Sequence, residues 1–164
     1  GQSVLIHAGA DGVGLLLIQM ARRLGAHIFT TVSTEEKAEL AKNAGAHQVI
    51  MYTKEDFEKV VREVTNGQGV NVVYDSVGKT TFDKSIKCLG TRGYMVLYGQ
   101  SSGAVPPISP GILRPKSLFL TRPSLAQYAH DREELLQRAN TVFQWFLLGK
   151  LKLRIHASFP LSES

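Results

Sequence analysis

The stretch VLIHAGADGVGLLLIQMARRLGA, residues 4–26, decides the fold. Residues 4–8 form an apolar run that reads as a buried strand. A glycine-rich turn follows. Residues 12–24 then read as a helix, apolar nearly all round, which Gly25 stops. Gly9, Asp11 and Gly14 fall on the three glycine positions of a G-x-G-x-x-G spacing, and Gly12 adds a further small residue. A turn of this kind needs a sharp reversal, a backbone that a pyrophosphate can approach, and a helix packed tightly on its strand. Free amides in the first helical turn, reinforced by the helix dipole, attract the anion. Ala10, Asp11, Gly12, Val13 and Gly14 are therefore the candidate phosphate contacts. The plainer alternative is a glycine-rich helix start that serves packing alone.

Asp11 departs from the pattern at its middle position. A side chain there crowds a phosphate, and a carboxylate repels it. Asp11 is expected to turn away from the phosphates, or to cap the helix by accepting from the N–H of Val13 or Gly14. Either way it lowers affinity without changing the fold.

Outward from the turn, strand-like and helix-like segments alternate. Strands are expected over residues 26–32, 47–52, 70–76 and 93–98. Between them, Ser33 sits three residues before Glu36 in capping-box spacing, opening a helix that runs to Gly45. Residues 53–65 make an amphipathic helix with Phe57, Val60, Val61 and Val64 on one face, and residues 79–89 a shorter one. Strands without polar alternation are buried on both faces, so helices cover both sides of a parallel sheet. Right-handed crossovers then give an α/β, doubly wound, Rossmann-type sheet. After Tyr98 the rhythm breaks into a Gly-, Pro- and Ser-rich connection, residues 99–116. Residues 117–122 read as a sixth strand, and residues 131–148 as a long helix. Leu135, Ala139, Val142, Phe143 and Phe146 have core spacing along that helix, and core packing is their expected role.

The 164 residues make one domain, 43% hydrophobic and 20% charged. Lys and Arg exceed Asp and Glu by 19 to 14, which suits an anionic ligand and permits weak nucleic-acid contact, though on charge alone a solvated basic face is the favoured reading. The single cysteine, Cys88, excludes an internal disulfide and fits helix core; a reducing, cytoplasmic setting is expected. His7, His27, His47, His130 and His156 are scattered, with no zinc-ligand spacing. Asp75 closes a buried strand and is expected to cap the next turn rather than act as a base. Gly1 stands just ahead of a strand and the chain ends at FPLSES without a closing element, so an excised domain of a longer protein is expected.

Nicotinamide sites that take NAD usually place Asp or Glu after the second strand, on the ribose 2′-hydroxyl. Here TTVSTEEK puts neutral Ser33 at that tip, Glu35 and Glu36 inside the next helix, and Lys37 beside them. A neutral tip with a nearby cation favours a 2′-phosphate, hence NADPH. A merely solvated Lys37 is the plainer alternative.

HAGADGVG, TVSTEEK, VIMYTKED, VVYDSVG, YGQSSGAV and LTRPSL occur in that order along the chain. Together they resemble the cofactor domain of zeta-crystallin-type quinone oxidoreductases, in the zinc-independent medium-chain dehydrogenase/reductase family. The resemblance implies that Ser33, Lys37 and Tyr52 hold the adenosine 2′-phosphate, and that Ser76 and Val77 lie beside adenine and ribose. It places Tyr98, Gly99 and Ser101 along the nicotinamide half, and Leu120, Thr121 and Arg122 near its amide. Strand-end packing alone would also explain Tyr52 and Tyr98. The family's HAAAGGVG is HAGADGVG here, which touches cofactor affinity rather than fold.

The resemblance further implies hydride or electron transfer from NADPH to a quinone, with a separate GroES-like catalytic domain forming the other wall of the cleft. The isolated domain is then expected to bind NADPH weakly and to turn over nothing, and no catalytic residue is named within it. Reduction of an enone or enoyl group by the same cofactor domain stays open, as does binding of AU-rich RNA, known among zeta-crystallin-type proteins. A homodimer through residues 117–122, extending the sheet across a two-fold axis, is also implied.

Overall fold

Six parallel strands form one sheet in the order β3-β2-β1-β4-β5-β6. The computed structural model describes residues 1–163. The strands are β1 (Ser3–Ile6), β2 (His27–Val32), β3 (Gln48–Met51), β4 (Val70–Asp75), β5 (Leu89–Leu97) and β6 (Phe119–Thr121). The helices are α1 (Gly12–Arg23), α2 (Glu35–Ala44), α3 (Phe57–Val64), α4 (Phe82–Cys88), α5 (Leu125–Tyr128) and α6 (Arg132–Leu147). The order reverses direction between β1 and β4, as in the doubly wound Rossmann-type arrangement.

Strand periodicity divides the core in two. Val4 and Ile6 of β1 point to one face, where Ile28, Val32, Ile18 of α1 and Ala38 and Ala41 of α2 close over them. Leu5 points to the other face and joins Phe29, Ile50, Val73 and Met95, covered by Phe57 and Val61 of α3 and Phe82 and Ile86 of α4. Each such side chain fully removed from water contributes about 1.5–3 kcal/mol, so both faces resist exposure.

Two glycines fix how α1 meets the sheet. A Cβ on Gly14 would overlap the Ala8 carbonyl oxygen, and one on Gly9 the Thr30 hydroxyl. A Cβ on Gly12 would meet nothing within 4 Å. The first and third positions of the glycine spacing therefore serve close helix–strand packing.

Several expectations need correction. Thr34, not Ser33, caps α2: its side chain accepts from the Lys37 N–H at 3.3 Å. The third helix starts four residues late because residues 53–55 turn back on the Met51 carbonyl, and Asp56 then caps it by accepting from the Glu58 N–H. Val64 on its expected apolar face is about half exposed. The fifth strand begins earlier, at Leu89, across a register shift between Val70 and Val72 of its neighbour β4. Within the Gly-Pro-Ser connection, Pro110–Lys116 winds into 3-10 turns.

The largest correction concerns α6. It buries no residue: Leu135, Val142, Phe143 and Phe146 are exposed, and Ala139 is only half-buried. The sheet's two faces are already filled by α1 to α4, so this helix leaves its apolar stripe outward. Its ties to the body come through Trp145, beneath the Arg23 guanidinium, and through Gln19, which bonds the Lys152 backbone in both directions.

Gly14→Ala is expected to lower stability by about 1–3 kcal/mol in urea denaturation, the usual cost of overpacking, whereas Gly12→Ala changes it by less than about 1 kcal/mol. Equal effects would show that α1 is not wedged against β1.

Candidate functional site

A cleft of about 550 Å³ opens along the carboxyl ends of the strands, at the reversal in strand order. Open α/β sheets bind ligands at this place. Ala10 and Asp11 line it after β1, Ser33 after β2, Tyr52 after β3, Val77 after β4 and Ser101 after β5; Lys37 reaches it from α2. Seven of the sequence-derived candidates thus share one cavity. Gly12, Val13 and Gly14 form the first turn of α1 directly behind Asp11.

The other candidates lie outside the cleft lining. Ser76, Tyr98 and Gly99 sit where the loops after β4 and β5 cross. The Tyr98 and Gly99 N–H groups donate to the Asp75 carbonyl, and the Ser101 N–H to that of Ser76. A Cβ on Gly99 would lie 2.6 Å from the Ser76 carbonyl oxygen, so glycine is required for the crossing. Burial raises the Tyr98 phenol above its ordinary pKa, an effect that the Ser76 hydroxyl opposes. Leu120 and Thr121 lie on edge strand β6, and Arg122 follows it, donating to Gln100 Oε1 at 3.0 Å.

Asp11 does not cap α1. It occupies the cap position with extended backbone, φ −79° and ψ 166°, but its side chain makes no capping hydrogen bond. Its carboxylate instead lies 3.8 Å from Lys37 Nζ, both side chains at the cleft and substantially exposed. A φ of −79° suits any L-residue, so the backbone does not demand glycine here. With no cap supplied, the opening amides of α1 have no side-chain acceptor, and α1 has no acid in its first turn.

The cleft also contains groups that sequence reasoning missed: His7, Thr31, Asp56, Thr81 and Lys84. His7 is fully buried between three elements. Its Nδ1 lies 2.9 Å from Thr31 Oγ1 and its Nε2 2.9 Å from Ser85 Oγ. The Ser85 hydroxyl donates to Asp75 Oδ2, so it accepts from His7 Nε2–H, leaving Nδ1 to accept from Thr31. Asp75 further accepts from the Val77 and Gly78 N–H groups and the Thr81 hydroxyl, which bears out its turn-capping role. Burial pulls the His7 pKa from 6.5 down to about 4, against the opposing charge of Asp75. The imidazole is neutral at pH 7. Cys88 ends α4 in the core, and burial pushes its thiol up to about 12.

Residues 12–141 match the family described as zinc-binding dehydrogenase. The chain belongs to that family. It is 45% identical over its whole length to 2-haloacrylate reductase of Burkholderia sp, covering 50% of that protein. It is 45% identical to quinone oxidoreductase 1 of Escherichia coli, over 99% of this chain and 51% of that one. The crystal structure of Escherichia coli quinone oxidoreductase complexed with NADPH superposes with a TM-score of 0.89 at 47% identity, over 94% of this chain and 48% of that one. The chain therefore spans about half the length of the relatives it matches. The family description names zinc, but among the described residues no three His, Cys, Asp or Glu side chains come together in a way that could hold a metal.

In this dehydrogenase-family domain the neutral His7 sets a pH dependence. Unfolded, His7 titrates near 6.5; folded, near 4. Between those values only the unfolded chain binds the proton, so stability is fully present above about pH 6.5 and falls toward pH 4, by up to ~3 kcal/mol. Urea midpoints at pH 7.5 and 5 are expected to differ less for His7→Gln than for the natural sequence. An equal difference would assign the slope to other groups.

Proposed function

We propose that this chain is the NADPH-binding half of a quinone oxidoreductase that works without zinc, its other half a GroES-like domain closing the cleft. The supporting observation is the cleft itself, where a strand–turn–helix with tightly packed Gly9 and Gly14 meets an uncapped helix start and the Lys37 ammonium. The amides of Gly12, Val13 and Gly14 would take the pyrophosphate, with Ala10 and Asp11 beside it. Ser33, Lys37 and Tyr52 would take the adenosine 2′-phosphate at the ends of β2 and β3, and Ser76 and Val77 the adenine and ribose. Tyr98, Gly99 and Ser101 would guide the chain of the cofactor toward its nicotinamide, with Leu120, Thr121 and Arg122 near the amide.

Bound NADPH would supply a hydride to the quinone, which with a proton leaves as hydroquinone. The domain's own part is binding and orientation. The loop crossing at Asp75, Ser76 and Gly99 braces the ends of β4 and β5 beside the cleft, and His7, held neutral, adds no charge behind the phosphate turn. Similarity to 2-haloacrylate reductase supports a second reading, hydride delivery to an electron-poor alkene. A screen of quinones against enones with the complete enzyme, following NADPH oxidation, separates the two.

Calorimetry on the chain is expected to show NADPH binding more tightly than NADH. Lys37→Ala should cost NADPH about tenfold in affinity, the scale of a lost charged contact, and leave NADH nearly unchanged. An equal loss for both would remove Lys37 from the 2′-phosphate.

The same reading places a homodimer contact at β6, which lies at the sheet edge and carries exposed Phe119 stacked on Tyr94 at 4.5 Å. Pairing with a second copy would satisfy its open backbone edge. The enzyme would work in the cytoplasm. Sedimentation at rising concentration is expected to show a dimer; a monomer throughout would refute the edge pairing.

A further inference from the structure

We propose, on the footing of the nucleotide site above, that Asp11 sets cofactor preference by competing with the 2′-phosphate for Lys37. The carboxylate and the ammonium are 3.8 Å apart and lie 63% and 46% exposed at the cleft. Asp11 makes no cap bond, so this pairing is its contact with the site. The other lysine of the cleft lining is closely paired: Lys84 holds Asp56 at 2.6 Å. Lys37 is thus the cleft cation held by a loose, exposed pair, and the one a nucleotide phosphate can take over.

NADPH must displace the Asp11 carboxylate from Lys37 and then tolerate it nearby. NADH carries no 2′-phosphate and contests neither. The acid therefore weakens NADPH selectively and brings the two cofactors closer in affinity. An acid at this position acting on the pyrophosphate would instead weaken both alike, because both carry that group.

The test is calorimetry of NADPH and NADH against the natural chain, Asp11→Asn, Lys37→Met and the double variant. Asp11→Asn is expected to tighten NADPH about two- to fivefold beyond any change in NADH, the range of an exposed ion pair. The gain should shrink with added salt and vanish in the Lys37→Met background. Equal tightening of both nucleotides, or a gain that survives Lys37→Met, would overturn the competition. No change in either nucleotide would overturn it too. Binding of neither nucleotide by any variant would instead sink the cofactor reading, and the proposal with it.

Discussion

The structure turns on the contact between Gly14 and the Ala8 carbonyl, where no side-chain atom fits between helix and strand. That approach fixes the axis of α1 relative to β1 and points its opening amides along the line of strand ends. Gly9 repeats the condition in the loop before the helix, against Thr30 of β2. The remaining strands add walls to a cleft whose floor is already set. A bulkier helix start would move α1 outward, and the amides would no longer converge with the residues after β2 and β4.

Much of this was legible along the chain because the signals are local. Strand runs apolar on both faces, a glycine spacing between strand and helix, and a neutral residue followed by Lys37 each lie within a few positions. The doubly wound sheet, the strand ends and seven residues of the cleft lining follow from them. The buried stripe on α6 did not follow. Periodicity establishes that Leu135, Val142 and Phe143 share a face, but what covers that face depends on space elsewhere, and the sheet had none left. Likewise Thr34 and Ser33 both suit a cap, and the chain's exit from β2 decides between them.

The His7–Ser85–Asp75 chain was illegible for a different reason. Its members come from the residue after β1, from α4 and from the end of β4, far apart in sequence, and none carries a recognisable spacing. Burying a carboxylate and an imidazole together is costly unless each polar atom finds a partner. Here each does: among the described residues no buried side-chain nitrogen or oxygen lacks one. Satisfied networks of this kind are rigid, because any member that moves exposes another's unmet demand.

Two kinds of charge thus divide the site between them. The buried set around Asp75 ties the ends of β1, β2 and β4 to α4 and holds the geometry of the walls. The exposed pair of Asp11 and Lys37 holds little geometry, since exposed ion pairs contribute at most about 1 kcal/mol. That weakness is what lets residue 11 vary. With φ at −79° the backbone accepts any side chain, the fold loses nothing, and the change falls on the ligand's phosphate instead. A buried acid in the same turn would have had to be paired within the fold; an exposed one can leave its partner to be contested by whatever enters the cleft.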